Sequence, residues 1–138
     1  MCLTKIHKEI KTADRDIPVY KVLTKDNFAP YIGHYRYCRG LNTPYALPPT
    51  NSYNEDSIDA GYLHAYTDEL VARHTAESMQ VMELFRRYTA TDTEASEKVS
   101  KRRFKVVKMV VPKGESYWLG DAYDIAATRL EWKENENE

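Results

Sequence analysis

The alternation of apolar and polar positions divides this chain into elements before any motif is sought. Ile17 to Thr24 is rich in β-branched residues and bounded by Asp16 and by Lys25-Asp26-Asn27, which predicts a strand. Pro18 lacks an N–H and fits only at that strand's first residues or at a sheet edge. Gly61 to Thr67 has the two-residue period of a second strand, with Tyr62, His64 and Tyr66 on one face and Leu63 and Ala65 on the other. The Leu63 and Ala65 face is the one expected to meet the core. Thr67 with Asp68 and Glu69 then offers an N-cap oxygen and negative charge for a helix from Asp68 to about Tyr88.

In the second half of that helix, Val81, Leu84, Phe85 and Tyr88 stand at i, i+3, i+4 and i+7 and form the expected core stripe. Arg73, Glu77, Glu83 and Arg87 are expected to face water, and Met79 and Met82 to fill gaps in the core. The first half is interrupted by His74, Thr75 and Ser78. Thr75 is a candidate cap for a second helix, so the pattern fits one long helix or two short ones.

A polar stretch from Thr89 to Ser100 leads into Lys101-Arg102-Arg103-Phe104 and then a nearly continuous apolar run to Val111, which predicts a buried central strand. Pro112 to Glu115 is a turn, Ser116 to Leu119 a short strand, and Tyr123 to Trp132 the last strand. The order β-β-β-α-β-β-β predicts an α+β fold. Its sheet is expected to be mixed or antiparallel, of about five strands, with one long helix or two short helices packed on one face. Residues 1–132 are expected to form one domain and residues 133–138 a disordered acidic tail.

Between the first two strands lies a region dense in Tyr, Pro and Gly. Tyr31, Tyr35 and Tyr37 alternate there with His34, Arg36 and Arg39, and Arg36 points away from the face shared by Tyr35 and Tyr37. Cations interleaved with rings suit a stacking platform for a base, and they equally suit a twisted hairpin. The spacing matches no nucleic-acid signature. Pro44, Pro48 and Pro49, with the polar run after them, predict an irregular loop.

Composition narrows the function classes. The formal net charge of -1 argues against holding nucleic acid or an anionic membrane by bulk positive charge. Eleven Tyr against three Phe and two Trp leave many phenols in need of a hydrogen-bond partner or water. Cys2 and Cys38 are too few for a disulfide framework and form no CxxC pair, so a reducing, cytoplasmic setting is expected. No signal peptide is legible, and no window approaches the roughly 20 apolar residues that span a bilayer. The chain has no Gly-rich phosphate loop, HExxH or GxSxG motif. His7, His34, His64 and His74 fall on different elements, so neither a metal site nor a cofactor is expected.

Four short motifs in register carry a resemblance. They are Val19-Tyr20-Lys21-Val22-Leu23, Ala29-Pro30-Tyr31 with Tyr37 following, Gly61-Tyr62-Leu63-His64-Ala65-Tyr66, and Val111-Pro112-Lys113-Gly114 with Tyr117 and Gly120. Together with the Met-Cys-Leu start, the chain resembles a group of small proteins from Bacteroides-type bacteria and their phages. That group often has Arg-Gly directly after the Pro-Tyr pair, where this chain has Ile32-Gly33 and places Arg36 and Arg39 further on. The resemblance implies a family domain and no particular activity.

Three functional readings follow. The first is a non-enzymatic binding or accessory module that recognises a protein partner through Tyr31, Tyr35, Tyr37 and Tyr45, since Tyr offers large contact area at small entropic cost. The second is a nucleotide-binding pocket built on His64 and Arg39, with Tyr62, Tyr66, Arg36 and Tyr37 around it. Tyr37-Cys38-Arg39-Gly40 and the strand bearing His64 resemble parts of ADP-ribosyltransferases, although the late acidic residue of that family is missing. The third is an N-terminal nucleophile: Met1-Cys2 resembles the start of class II glutamine amidotransferases, with Leu3 where that family has glycine. In the second reading His64, just before a helix N-terminus, is expected to act as a neutral imidazole beside an anion.

Overall fold

The computed structural model describes residues 3–4, 10–30, 35–43, 57–58, 62–89 and 103–133. In chain order the elements are β1 (Leu3–Thr4), β2 (Lys11–Thr12), β3 (Ile17–Thr24), β4 (Gly40–Asn42), β5 (Ser57–Ile58) and β6 (Leu63–Tyr66). They continue with α1 (Glu69–Thr89), β7 (Phe104–Val111), β8 (Ser116–Leu119), β9 (Asp124–Ala127) and β10 (Leu130–Trp132). The fold is α+β with one helix. Its main sheet has eight strands in the order β2-β8-β9-β6-β3-β7-β10-β4, every neighbour antiparallel, and β1 pairs with β5 in a separate two-stranded sheet.

The expected five strands are thus too few, and two physical reasons account for the difference. Lys11–Thr12 and Gly40–Asn42 are strands of two and three residues, too short for apolar alternation to announce them. The last predicted strand is two: it breaks at Thr128-Arg129, where the chain turns a corner and changes neighbours. The corner is held by Thr128, whose N–H donates to the Ser116 carbonyl at 3.0 Å and whose hydroxyl accepts from the Ser116 N–H at 3.1 Å. That hydroxyl in turn donates to the Glu115 carboxylate at 3.0 Å.

This corner dictates the shape of the sheet. Ala127 and Leu130 are three residues apart, so their Cα atoms lie at most about 11 Å from each other. In the ladder, however, β6, β3 and β7 intervene between β9 and β10, a separation of about 19 Å if the sheet were flat. The sheet therefore curls, and β9 and β10 act as one bent strand that closes β6, β3 and β7 into a barrel-like wrap.

The main core lies inside the wrap. Val19 and Leu23 of β3, Met109 and Val111 of β7, Ile125 of β9 and Leu130 of β10 are its largest fully enclosed side chains. Leu63 and Ala65 join this cluster, as the alternation of β6 predicts. Helix α1 packs outside the wrap, across β7, β3 and β6. Ala72 and Ala76 meet Val22 there, with Tyr20, Tyr66, Met79, Phe104 and Val106 around them. Small residues on the helix let it lie close to the strands.

One continuous helix is present rather than two. Its N-cap is Asp68, whose Oδ1 accepts from the N–H groups of Leu70 at 2.8 Å and Val71 at 3.2 Å. Thr67, also expected to cap, spends its hydroxyl on the Tyr123 carbonyl. Lys133, the first residue of the expected tail, reaches Asp16 at 3.1 Å, and the rest of that tail lies outside the described residues.

Candidate functional site

Two surfaces carry chemistry that folding alone does not explain. The first is the outer side of α1. At about 100° per residue, Ala72, Ala76, Met79 and Glu83 fall within an arc of about 60° that faces the sheet. Leu70, Val81, Leu84 and Phe85 fall within about 100° on the opposite side. Val81, Leu84 and Phe85, expected as core, are therefore turned outward; Phe85 is 65 % and Leu70 77 % exposed. Met82 beside them is exposed as well, while Glu83, expected to face water, is buried. The correction has a plain cause. The regular apolar stripe and the packing face are different sides of one helix, and the small side of the helix fits against the sheet.

The second surface is one end of the wrap, where β3 finishes and β7 begins. Lys21 points inward between Val19 and Leu23 and donates to the His64 carbonyl at 2.5 Å. Its ammonium lies 5.1 Å from the Tyr37 ring centre, and Tyr37 stacks obliquely on Tyr35 at 4.8 Å. Burial, uncompensated by any charge partner among the described residues, pulls Lys21 down to about 8. Burial also pushes the Tyr37 phenol well above its ordinary value, with Tyr35 adding to the effect, so Tyr37 is a neutral donor. The Tyr35 hydroxyl donates to the Thr43 carbonyl.

Beside this pair, Trp132 lies under two more cations, Arg39 at 4.7 Å and Lys105 at 5.7 Å. Arg39 is placed by Asn42, a buried residue whose side chain accepts from the Cys38 N–H and donates to the Cys38 carbonyl, both at 2.9 Å. Gly40 completes that turn with a φ of 95°, a conformation that favours glycine.

The sequence-predicted site residues scatter across these surfaces. Tyr62, His64 and Tyr66 share the outer face of β6, as the two-residue period requires, with Tyr62 against Trp118 and Ala126. Both ring nitrogens of His64 are shielded from solvent. Tyr37 lies on the inner face, Arg36 is exposed and stands 5.9 Å from the Phe28 ring, and Arg39 lies over Trp132. His64 therefore sits on the outer face of β6, whereas Arg39 lies over Trp132, a residue of the inner core. Tyr35 and Tyr37 are core residues and not partner-facing ones. Cys2, Tyr31, His34 and Tyr45 lie outside the described residues. Cys38 is an exposed free thiol.

Sequence reasoning passed over Lys21, Lys105 and Asn42. A lone lysine inside an eight-residue apolar strand was a signal for the first. Nothing near Lys105 or Asn42 distinguished them from surface positions. Among the described residues no three His, Cys, Asp or Glu side chains gather as a metal set, and no helix is long and apolar enough to cross a membrane. Comparison with family models, with curated proteins and with solved structures finds no match.

Proposed function

We propose that this chain is a binding or accessory module that contacts a protein partner through the outer stripe of α1. The carrying observation is the placement of Val81, Leu84 and Phe85 at i, i+3 and i+4 on the solvent side of a helix whose other side is already packed. A stripe with that spacing is the pattern by which an amphipathic helix engages an apolar groove or a second helix. Clustered exposed apolar groups lose free energy to water until something covers them, which marks them as an interaction surface. Of the tyrosines that suggested such a module, Tyr35 and Tyr37 belong to the core, and Tyr31 and Tyr45 lie outside the described residues.

The test is quantitative capture from host lysate with wild type and Phe85→Glu in parallel, using Tyr123→Ser as a control for exposed aromatics. A protein retained by wild type and by Tyr123→Ser, and lost with Phe85→Glu, is the expected result. If no captured protein depends on Phe85, the reading fails.

A further inference from the structure

We propose that the end of the wrap formed by Lys21, Lys105 and Arg39 is a binding site for a diphosphate-bearing small ligand. This rests on observations independent of the α1 surface. Lys21 and Lys105 project from neighbouring strands on the same inner face, diagonal to each other because Lys21 pairs with Val107 and Leu23 with Lys105. Such diagonal neighbours lie about 7 to 8 Å apart at their Cα atoms. Arg39 comes to the same end from the turn before β4, fixed by Asn42.

Lys21 and Lys105, diagonal neighbours on one inner face, repel one another, and burial adds to the cost for Lys21. Neither Lys21 nor Lys105 pairs with a carboxylate among the described residues, where Asp16, Glu69 and Glu115 serve other cations. Each is instead set over a ring, Lys21 over Tyr37 and Lys105 over Trp132. Ring faces position a cation and leave its N–H donors directed elsewhere. Lys21 uses one of its three donors on the His64 carbonyl, which leaves two for a ligand oxygen. Two cation centres, Lys21 at Tyr37 and Lys105 at Trp132, match two linked phosphates better than a single carboxylate.

The probe is sodium pyrophosphate added to the full chain at constant ionic strength, read by thermal unfolding and by tryptophan emission. A saturable rise in Tm with a change in emission is expected. Lys21→Met and Lys105→Met should each weaken the apparent affinity at least about tenfold. Lys113→Met, in the turn after β7 at the far end of that strand, should leave it unchanged. Lys21→Met is expected to fold and to melt higher than wild type without pyrophosphate, so loss of its response reports loss of the site. An equal response to sodium chloride of matched ionic strength would overturn the proposal, as would unchanged affinity in both lysine variants. A response to acetate as strong as to pyrophosphate would also overturn it, by assigning a carboxylate.

Discussion

Lys21 places an ammonium between Val19 and Leu23, and desolvation holds it near 8 against an ordinary value of 10.5. Between those values the unfolded chain binds a proton that the folded chain does not, so the contribution of Lys21 makes stability rise with pH across that window. Below about 8 both states are charged and the full penalty is present. Lys21→Met should therefore be more stable than wild type at pH 7 by about 1–3 kcal/mol, the upper figure being the whole shift in free-energy units. The gain should shrink towards pH 10.5 in urea melts taken as a pH series. A constant difference would show that the side chain acts through packing alone. Gly120 gives an opposite case, because a Cβ there would overlap the Asp124 carboxylate that accepts from the Ala122 N–H. Gly120→Ala should cost about 1–3 kcal/mol in the same assay. Lys21 stands out in the sequence only as a lone lysine in an apolar strand, and Gly120 does not stand out at all. A lysine in a strand and a glycine before Asp121 look alike whether they face solvent or a neighbour, since the deciding groups come from distant strands.

Helix α1 shows how local pattern and tertiary fit diverge. Its position and its strand-to-helix junction were legible, because the change from a period of two to a period near four is carried by the residues themselves, whereas the pattern left one helix or two open. Its orientation was not. Periodicity identifies an apolar side, but Ala72 and Ala76 meet the sheet because close approach rewards small side chains, which a hydrophobic stripe does not encode. Substitutions should separate the two sides. Ala72→Leu should lower stability by about 1–3 kcal/mol through overpacking, whereas Val81→Ser and Phe85→Ser should stay within about 0.5 kcal/mol of wild type. Asp68→Ala should cost about 1 kcal/mol by removing the cap seen by Leu70 and Val71, with Thr67 unable to replace it. Chemical denaturation of the four variants checks the ordering, and a large loss from Phe85→Ser would place the stripe in the core after all.

Closure of the wrap depends on sequence-distant pairing, which is why the strand count fell short. The individual strands β3, β6, β7 and β8 are readable from composition, yet nothing in Asp124 to Trp132 marks a corner except Thr128, an ordinary strand residue. The bend exists because the Ser116 backbone and Glu115 are there to receive it. Thr128→Val keeps the shape of the side chain and removes these bonds, so it should cost about 1–2 kcal/mol, while Thr128→Ser should retain most of the stability. The same long-range pairing brings Lys21 and Lys105 onto one inner face, so the candidate sites were only partly visible in the chain. Function in this account rests on the outer stripe of α1, and site-specific photocrosslinking tests it most directly. With a photoreactive residue at position 85, or at position 81, in cells, crosslinks to one and the same foreign protein are expected, with none from position 121 in the β8–β9 turn. Crosslinks of equal yield from position 121, or crosslinks only to a second copy of this chain, would contradict a partner-binding module.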